Sequence, residues 1–296
     1  MDISSAGLRV LRQIAESGSF TAAATRLGYT QSAVSRQAAS LEQAAGAALF
    51  ERRTNGVRLT SAGLTLLRHG RTILDAVATA ERELAGAAQP TEVVRLGAFL
   101  SAGAALLPAA LRRLAQTDPQ LTVTTREGTT PALTRALRAG SIDLALLTSR
   151  PPHRPSDGES PRLRFETVEN TELVVAASTT GEFAGRGAVH IDELVDASWI
   201  ATPSSRSEPL LGVWPGLPGR PRVVHSARDW LTKTQLVAAG LGVTTVPRAL
   251  APVLPSGVTL LSVEGAPPET RRVHVARLPG TPSPAVTAVL RALTSS

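Results

Sequence analysis

Five polar side chains fall within seven residues: Gln31, Ser32, Ser35, Arg36 and Gln37. Glutamine and arginine can pair two atoms at once with the edges of adenine and guanine, and serine more often bonds phosphate oxygens. Fifteen residues on, Arg52, Arg53 and Arg58 surround Thr54-Asn55-Gly56. An Asn-Gly pair is a strong hairpin signal, and arginines on a hairpin suit backbone phosphate or the minor groove. Both groups would also suit ordinary solvated surface. Catalytic chemistry has less support. The chain lacks GxSxG, the P-loop GKS/T and a GxGxxG after a strand. It has no cysteine, and its five histidines (His69, His153, His190, His225, His274) show no ligand spacing. No metal or cofactor is expected; a Ser-His-Asp set drawn from distant residues stays open.

The elements that would position these groups can be read locally. Residues 3–16 carry Leu8, Leu11, Ile14 and Ala15 at helical spacing, and Gly18 stops that helix. Ser19 caps a second helix over 20–27, and Gly28 ends it. Thr30 caps a third helix running to about residue 45, with Tyr29 placed to staple onto Val34. Val34, Ala38 and Leu41 face inward, which turns Gln31, Ser32, Ser35, Arg36 and Gln37 outward or to the flank of that surface. A helix presented by its N-terminal end can enter the major groove of double-stranded DNA. Ser19, Thr21 and Thr30 complete the candidate contacts.

Residues 61–88 form one long helical pattern. Leu67, Leu74 and Glu81 make one heptad line, and Gly70, Val77 and Leu84 the other. This short seam suits an antiparallel helix pair or packing on a partner's head. Pro90 ends it, which places the linker at 89–92.

In order and spacing, GSFTAAATRL, TQSAVSRQ, LEQAAGAALFERR and VRLTSAG resemble the N-terminal pattern of the LysR-type transcriptional regulators. The match is dense over residues 3–66. Ser32 departs from it, since the family commonly has proline there. The resemblance implies an α+β multidomain chain: a winged helix-turn-helix at 1–60, a dimerising linker helix at 61–89 and an effector domain at 90–296. It also implies a homodimer or homotetramer reading a roughly palindromic site, with RNA polymerase as a further candidate partner.

From residue 92 strands and helices alternate: strands at 93–98, 121–126 and 142–147, with helices at about 103–115 and 130–139. That order predicts a parallel sheet covered by helices. Strands at 163–168, 172–177, 199–202, 222–225 and 243–246, with a helix at 229–239, predict a second unit. A strand at 271–276 and a helix at 284–293 return to the first. The expected subdomains are about 90–163 with 268–296, and about 164–267. LRAGSIDLALL and LVAAGLGVTTVPRAL resemble the family's periplasmic-binding-protein-like α/β domain.

Ligands of open α/β sheets bind beyond the carboxyl ends of strands. This nominates Phe99, Leu100, Ser101, Thr129, Thr130, Thr148, Thr202, Ser204, Ser205, Arg206 and His225 as contacts for a small-molecule effector. Each would equally serve as a helix cap or loop residue. The proline-dense stretch 214–221 suits either the cleft entrance or an exposed connector, and the connector is the favoured reading.

Charge discriminates little. The formal net charge is +7, with +3 in residues 1–60 from seven arginines against four acids. Lys233 is the only lysine, a bias ascribed to genome composition. No export signal or membrane span is expected, which favours the cytoplasm. The leading expectation is a ligand-responsive transcription factor. A transporter's solute-binding protein, an enzyme on the α/β half and an effector-independent nucleoid protein are the alternatives.

Overall fold

The computed structural model describes residues 3–53, 56–84, 92–149, 161–202 and 211–295. Three helices open the chain: α1 (Ser5–Ser17), α2 (Phe20–Leu27) and α3 (Gln31–Ala45). Each starts at a hydroxyl cap. Ser4 accepts from Gly7 N–H, Ser19 from Ala22 N–H and Thr30 from Ala33 N–H, which satisfies donors that a helix start leaves unpaired. Gly28 ends α2 at φ 69°, a left-handed turn that lets α3 follow after only Tyr29 and Thr30. Val10, Ile14, Ala23, Ala24, Val34 and Ala38 share one core, and the alanines let the helices approach closely. Tyr29 is not part of it. It stands 53% exposed.

The hairpin β1 (Phe50–Arg53) and β2 (Gly56–Leu59) follows. The register pairs Arg53 with Gly56, so the connection is the two residues 54–55, which lie outside the described residues. Val57 N–H donates to the Gly18 carbonyl at 2.9 Å, pinning the hairpin to the α1–α2 turn. Gly56 sits at φ 127°, and a Cβ there would lie 2.5 Å from that same carbonyl oxygen. Only glycine meets both demands.

Helix α4 (Ser61–Leu84) packs its apolar line on the chain's own head. Leu67 joins Leu11, Leu41, Leu49 and Leu59, and Leu8 crowds Gly70. The seam expected for a second helix is thus spent in part within the chain, with α1 as the partner helix. Ile73 and Leu84 remain exposed.

The remainder is α/β. In chain order come β3 (Val93–Ala98), α5 (Leu100–Ala105), α6 (Leu107–Thr117), β4 (Thr122–Glu127), α7 (Thr130–Arg138) and β5 (Leu144–Ser149). The single helix expected at 103–115 is two, broken at Leu106, because Pro108 is suited to a helix start and not to an interior. β3 pairs in parallel with both β4 and β5. The strands expected at 163–168 and 172–177 are one, β6 (Arg164–Ser178). Then follow β7 (Ala188–His190), a 3₁₀ turn at Ile191–Leu194, β8 (Ser198–Ala201), β9 (Arg222–Ser226), α8 (Trp230–Ala238), β10 (Thr244–Pro247), a second 3₁₀ turn at Arg248–Val253 and β11 (Val258–Glu264). The chain returns through β12 (Thr270–Arg277) and α9 (Pro284–Thr294).

β6 belongs to both units. Its first part pairs with β12, which pairs in turn with β5; its second part pairs with β10 and β11. One core gathers on β3, β5, β12, α6 and α9, and another surrounds the buried Trp199, whose indole N–H donates to Leu194 O. Departure and return along neighbouring strands match the order read from the sequence.

Candidate functional site

Two surfaces result. On α3, Val34, Ala38 and Leu41 are buried, and the helical period leaves Gln31, Ser32 and Arg36 exposed with Ser35 half-buried beside them. Gln31 Nε2 donates to Ser35 Oγ at 3.1 Å, and the hydroxyls of Thr30 and Ser32 are 3.0 Å apart. Among the described residues Arg36 has no ion-pair partner, so its guanidinium is available to a ligand. Gln37 is only partly available. Its side-chain oxygen is buried without a partner among the described residues, so its acceptor is turned away from solvent. Thr21 is exposed and Ser19 is half-buried at the start of α2. Arg58 projects exposed from the hairpin. The side chains of Arg52 and Arg53 lie outside the described residues.

The second surface is a cleft of about 1580 Å³ between the two α/β units. One wall holds Phe99, Leu100 and Ser101 after β3, Thr129 and Thr130 after β4, and Thr148 on β5. Thr148 sits within the strand instead of after it, paired with Val273. The facing wall holds Thr202, Trp214, Trp230 and Lys233, and β6 contributes Glu169, Thr171 and Leu173. Seven nominated residues therefore meet in one cavity: Phe99, Leu100, Ser101, Thr129, Thr130, Thr148 and Thr202. Ser204, Ser205 and Arg206 lie outside the described residues. His225 does not line the cleft, because β9 pairs beside β8 and places His225 opposite Ile200.

Two features of the cleft departed from expectation. The stretch at 214–221, favoured as an exposed connector, also shapes the cleft; Gly216, Pro218, Gly219 and Arg220 are exposed and the rest is not. Trp214 is buried in the Trp199 core, and Trp214, Pro215, Gly216, Leu217 and Pro221 all line the cavity. Lys233, ascribed to composition, is 3% exposed on α8 and lines the cleft as well. Its Nζ donates to Thr202 Oγ1 at 2.7 Å and sits 5.2 Å from the centroid of the Trp230 ring. Burial pushes this amine down to about 8, with Asp229 partly opposing the fall. Its position four residues after the N-cap Asp229 placed it on a short helix; nothing local showed that helix face to be covered.

The head and the cleft are physically joined. Glu16 of α1 is buried and takes Arg26 at 3.1 Å and Arg126 on its carboxylate, and its carbonyl accepts from Arg135 Nε at 3.2 Å. Arg126 is the neighbour of Glu127, which lines the cleft. On α4, Arg71 bonds Asp143 and Asp75 takes both terminal nitrogens of Arg95, at 2.9 and 3.0 Å. Asp143 also accepts from the Arg95 backbone at 2.8 Å. These two carboxylates hold the Arg95 guanidinium above its ordinary range despite its burial.

Among the described residues no group of three His, Cys, Asp or Glu could hold a metal ion, and no helix is long and apolar enough to cross a membrane.

Comparison with known proteins matches both halves of the chain. A family model described as the LysR substrate binding domain matches residues 87–296. One described as a bacterial regulatory helix-turn-helix protein of the lysR family matches residues 6–64. A probable hydrogen peroxide-inducible genes activator from Mycobacterium avium is 30% identical over 273 residues, covering 90% of this chain and 86% of that one. The transcriptional regulator ClcR of Pseudomonas putida is 32% identical over 250 residues, covering 82% of each. Among solved structures, a full-length OxyR variant from Pseudomonas aeruginosa shares the fold with a TM-score of 0.61 at 22% identity, over 99% of this chain and 98% of that one. Full-length CbnR in complex with its target DNA shares it with a TM-score of 0.56 at 21% identity, over 98% of each.

Proposed function

This chain belongs to the LysR family of transcriptional regulators, and from that premise we propose that the start of α3 reads DNA while the cleft takes the effector. The family gives the coarse activity: DNA binding by the head, modulated through an effector-binding half. The residue assignments are our reading. Gln31, Ser32 and Arg36 meet base edges or phosphates in the major groove, with Ser35 and Gln37 at the flank. Thr30, Ser19, Thr21 and Arg58, with Arg52 and Arg53, meet the backbone. The observation that carries this reading is the capped, exposed start of α3, with Arg36 held by no acid among the described residues.

The head spans residues 1–60, the linker helix 61–89 and the effector half 90–296 in this reading. Ser101, Thr129, Thr130, Thr148 and Thr202 orient the effector between walls formed by Phe99, Leu100 and the tryptophans. Ligand occupancy acts on the head through Arg126 and Glu16, because the arginine neighbours a cleft residue and the glutamate belongs to α1. Such coupling requires unequal affinity of the ligand for two arrangements of the units. A second copy joins through α4, where Ile73 and Leu84 are apolar and exposed. The protein acts in the cytoplasm, engages RNA polymerase at its promoters and performs no catalytic step.

The peroxide response named for the M. avium relative cannot run through thiols here, since the 296 residues hold no cysteine. A titration of the full chain against its selected operator tests the DNA assignment. Arg36→Ala should lose about 1–3 kcal/mol of discrimination against a mismatched site with the fold intact. Unchanged preference in that titration would reject it.

A further inference from the structure

We infer that Lys233 is the anchor for an anionic group, a carboxylate in the first instance, on the effector that the cleft receives. This rests on the cleft being the effector site. The argument is one of donors without acceptors. An ammonium carries three N–H donors and no acceptor. One N–H of Lys233 goes to Thr202 Oγ1, and among the described residues the other two have no partner. No carboxylate among the described residues lies within ion-pair distance of Nζ. Elsewhere in the lining, Trp214 is 4% exposed, and its buried indole N–H also lacks a partner among the described residues. Indole too is a donor only. Lys233 therefore brings unused, charged N–H donors to this wall.

Of the cations lining the cleft, Arg228 is exposed to solvent and Lys233 is buried. Arg271 is committed to Glu269 at 2.9 Å and to Thr270 O at 2.8 Å. Asp229 spends its carboxylate on Thr232 N–H at 2.7 Å. Glu127 and Glu169 line the cavity together with Arg228, so lining cations and acids balance in number. What distinguishes Lys233 is burial without a paired acid among the described residues, and a buried cation is costly until an anion compensates it. The Trp230 ring beneath Nζ offsets part of that cost by a cation–π contact and gives an aromatic or planar ligand a face to lie on. A charge-assisted bond from ammonium to carboxylate would complete the set.

Because Lys233 is the one lysine of these 296 residues, reductive ¹³C-methylation of the chain places a single side-chain reporter on this amine. The probes are acetate, benzoate and succinate, each paired with its neutral amide and titrated to about 100 mM at constant ionic strength, well beyond a millimolar Kd. At least one carboxylate should shift the Lys233 methyl resonance saturably and raise the amine's titration midpoint, whereas its amide does neither. The same carboxylate should raise the Tm of the wild type and of Lys233→Arg, and leave Lys233→Met unmoved. The inference is overturned if no carboxylate acts, if acid and amide act alike, or if Lys233→Met keeps the full stabilisation. Should an amide saturate the cleft as well as its acid, the effector cleft survives and the anionic anchor does not. Operator titration, which needs no ligand, reports on the regulator reading separately.

Discussion

Replacing Lys233 with methionine should make the unliganded protein more stable near neutral pH and remove a rise in stability above pH 8. The amine's pKa falls from the ordinary 10.5 to about 8 in the folded chain because burial penalises its charge. Unfolding then takes up a proton between those two values, so stability increases as pH rises through that window. The whole displacement corresponds to about 3 kcal/mol at most, of which about 2 kcal/mol falls between about pH 7 and pH 9.5. Nearby charges set the size of the effect: Asp229 opposes the fall, and Arg228, Arg271, Glu127 and Glu169 share the cleft. Few other groups titrate there, since the chain has one tyrosine and no cysteine. Urea unfolding of wild type and Lys233→Met at the two pH values provides the assay. A gap in favour of the variant that closes with rising pH is expected. Parallel curves, or a wild type that loses stability faster than the variant between them, would refute the reasoning.

Three other substitutions probe the framework. Gly56→Ala places a Cβ 2.5 Å from the Gly18 carbonyl at φ 127°, so it should cost on the order of 2 kcal/mol and loosen the hairpin, read as faster amide exchange at Val57. Asp143→Ala leaves Asp75 as the one acid for both Arg71 and Arg95 and removes the acceptor of the Arg95 backbone N–H. A loss on the order of 2 kcal/mol is expected in urea unfolding, and no measurable loss would show that this junction is not a stabilising contact. Arg58→Ala should weaken binding evenly across DNA sequences and lower the slope of log affinity against log salt by about 1. A change in sequence preference instead would move Arg58 from phosphate to base contact.

Features written in local chemistry were legible in the sequence. The bounds of α2 and α3 follow from Ser19, Gly28 and Thr30, since caps and left-handed glycines act within one turn of their own position. The alternation of strands and helices after residue 92 was equally plain. What was missed depends on distant partners. Glu169, Asn170 and Thr171 read as a break between strands; they continue one strand because β12 pairs with them from a hundred residues away. β7 and β11 escaped notice, since short strands gain their identity from the neighbours they pair with. Trp214 looked like part of a loop, and only the fold brings the core around Trp199 against it. Lys233 is the sharpest instance. Threonines flank it on a nine-residue helix, and its burial comes from packing that no local pattern encodes.

Selection of duplexes from a random-sequence pool by the full chain, repeated with Arg36→Ala, tests most directly whether α3 reads DNA. The wild type should enrich a defined motif with related half-sites, and the variant, matched in Tm, should enrich a relaxed one. Identical motifs from both proteins, or no motif from the wild type, would contradict the assignment.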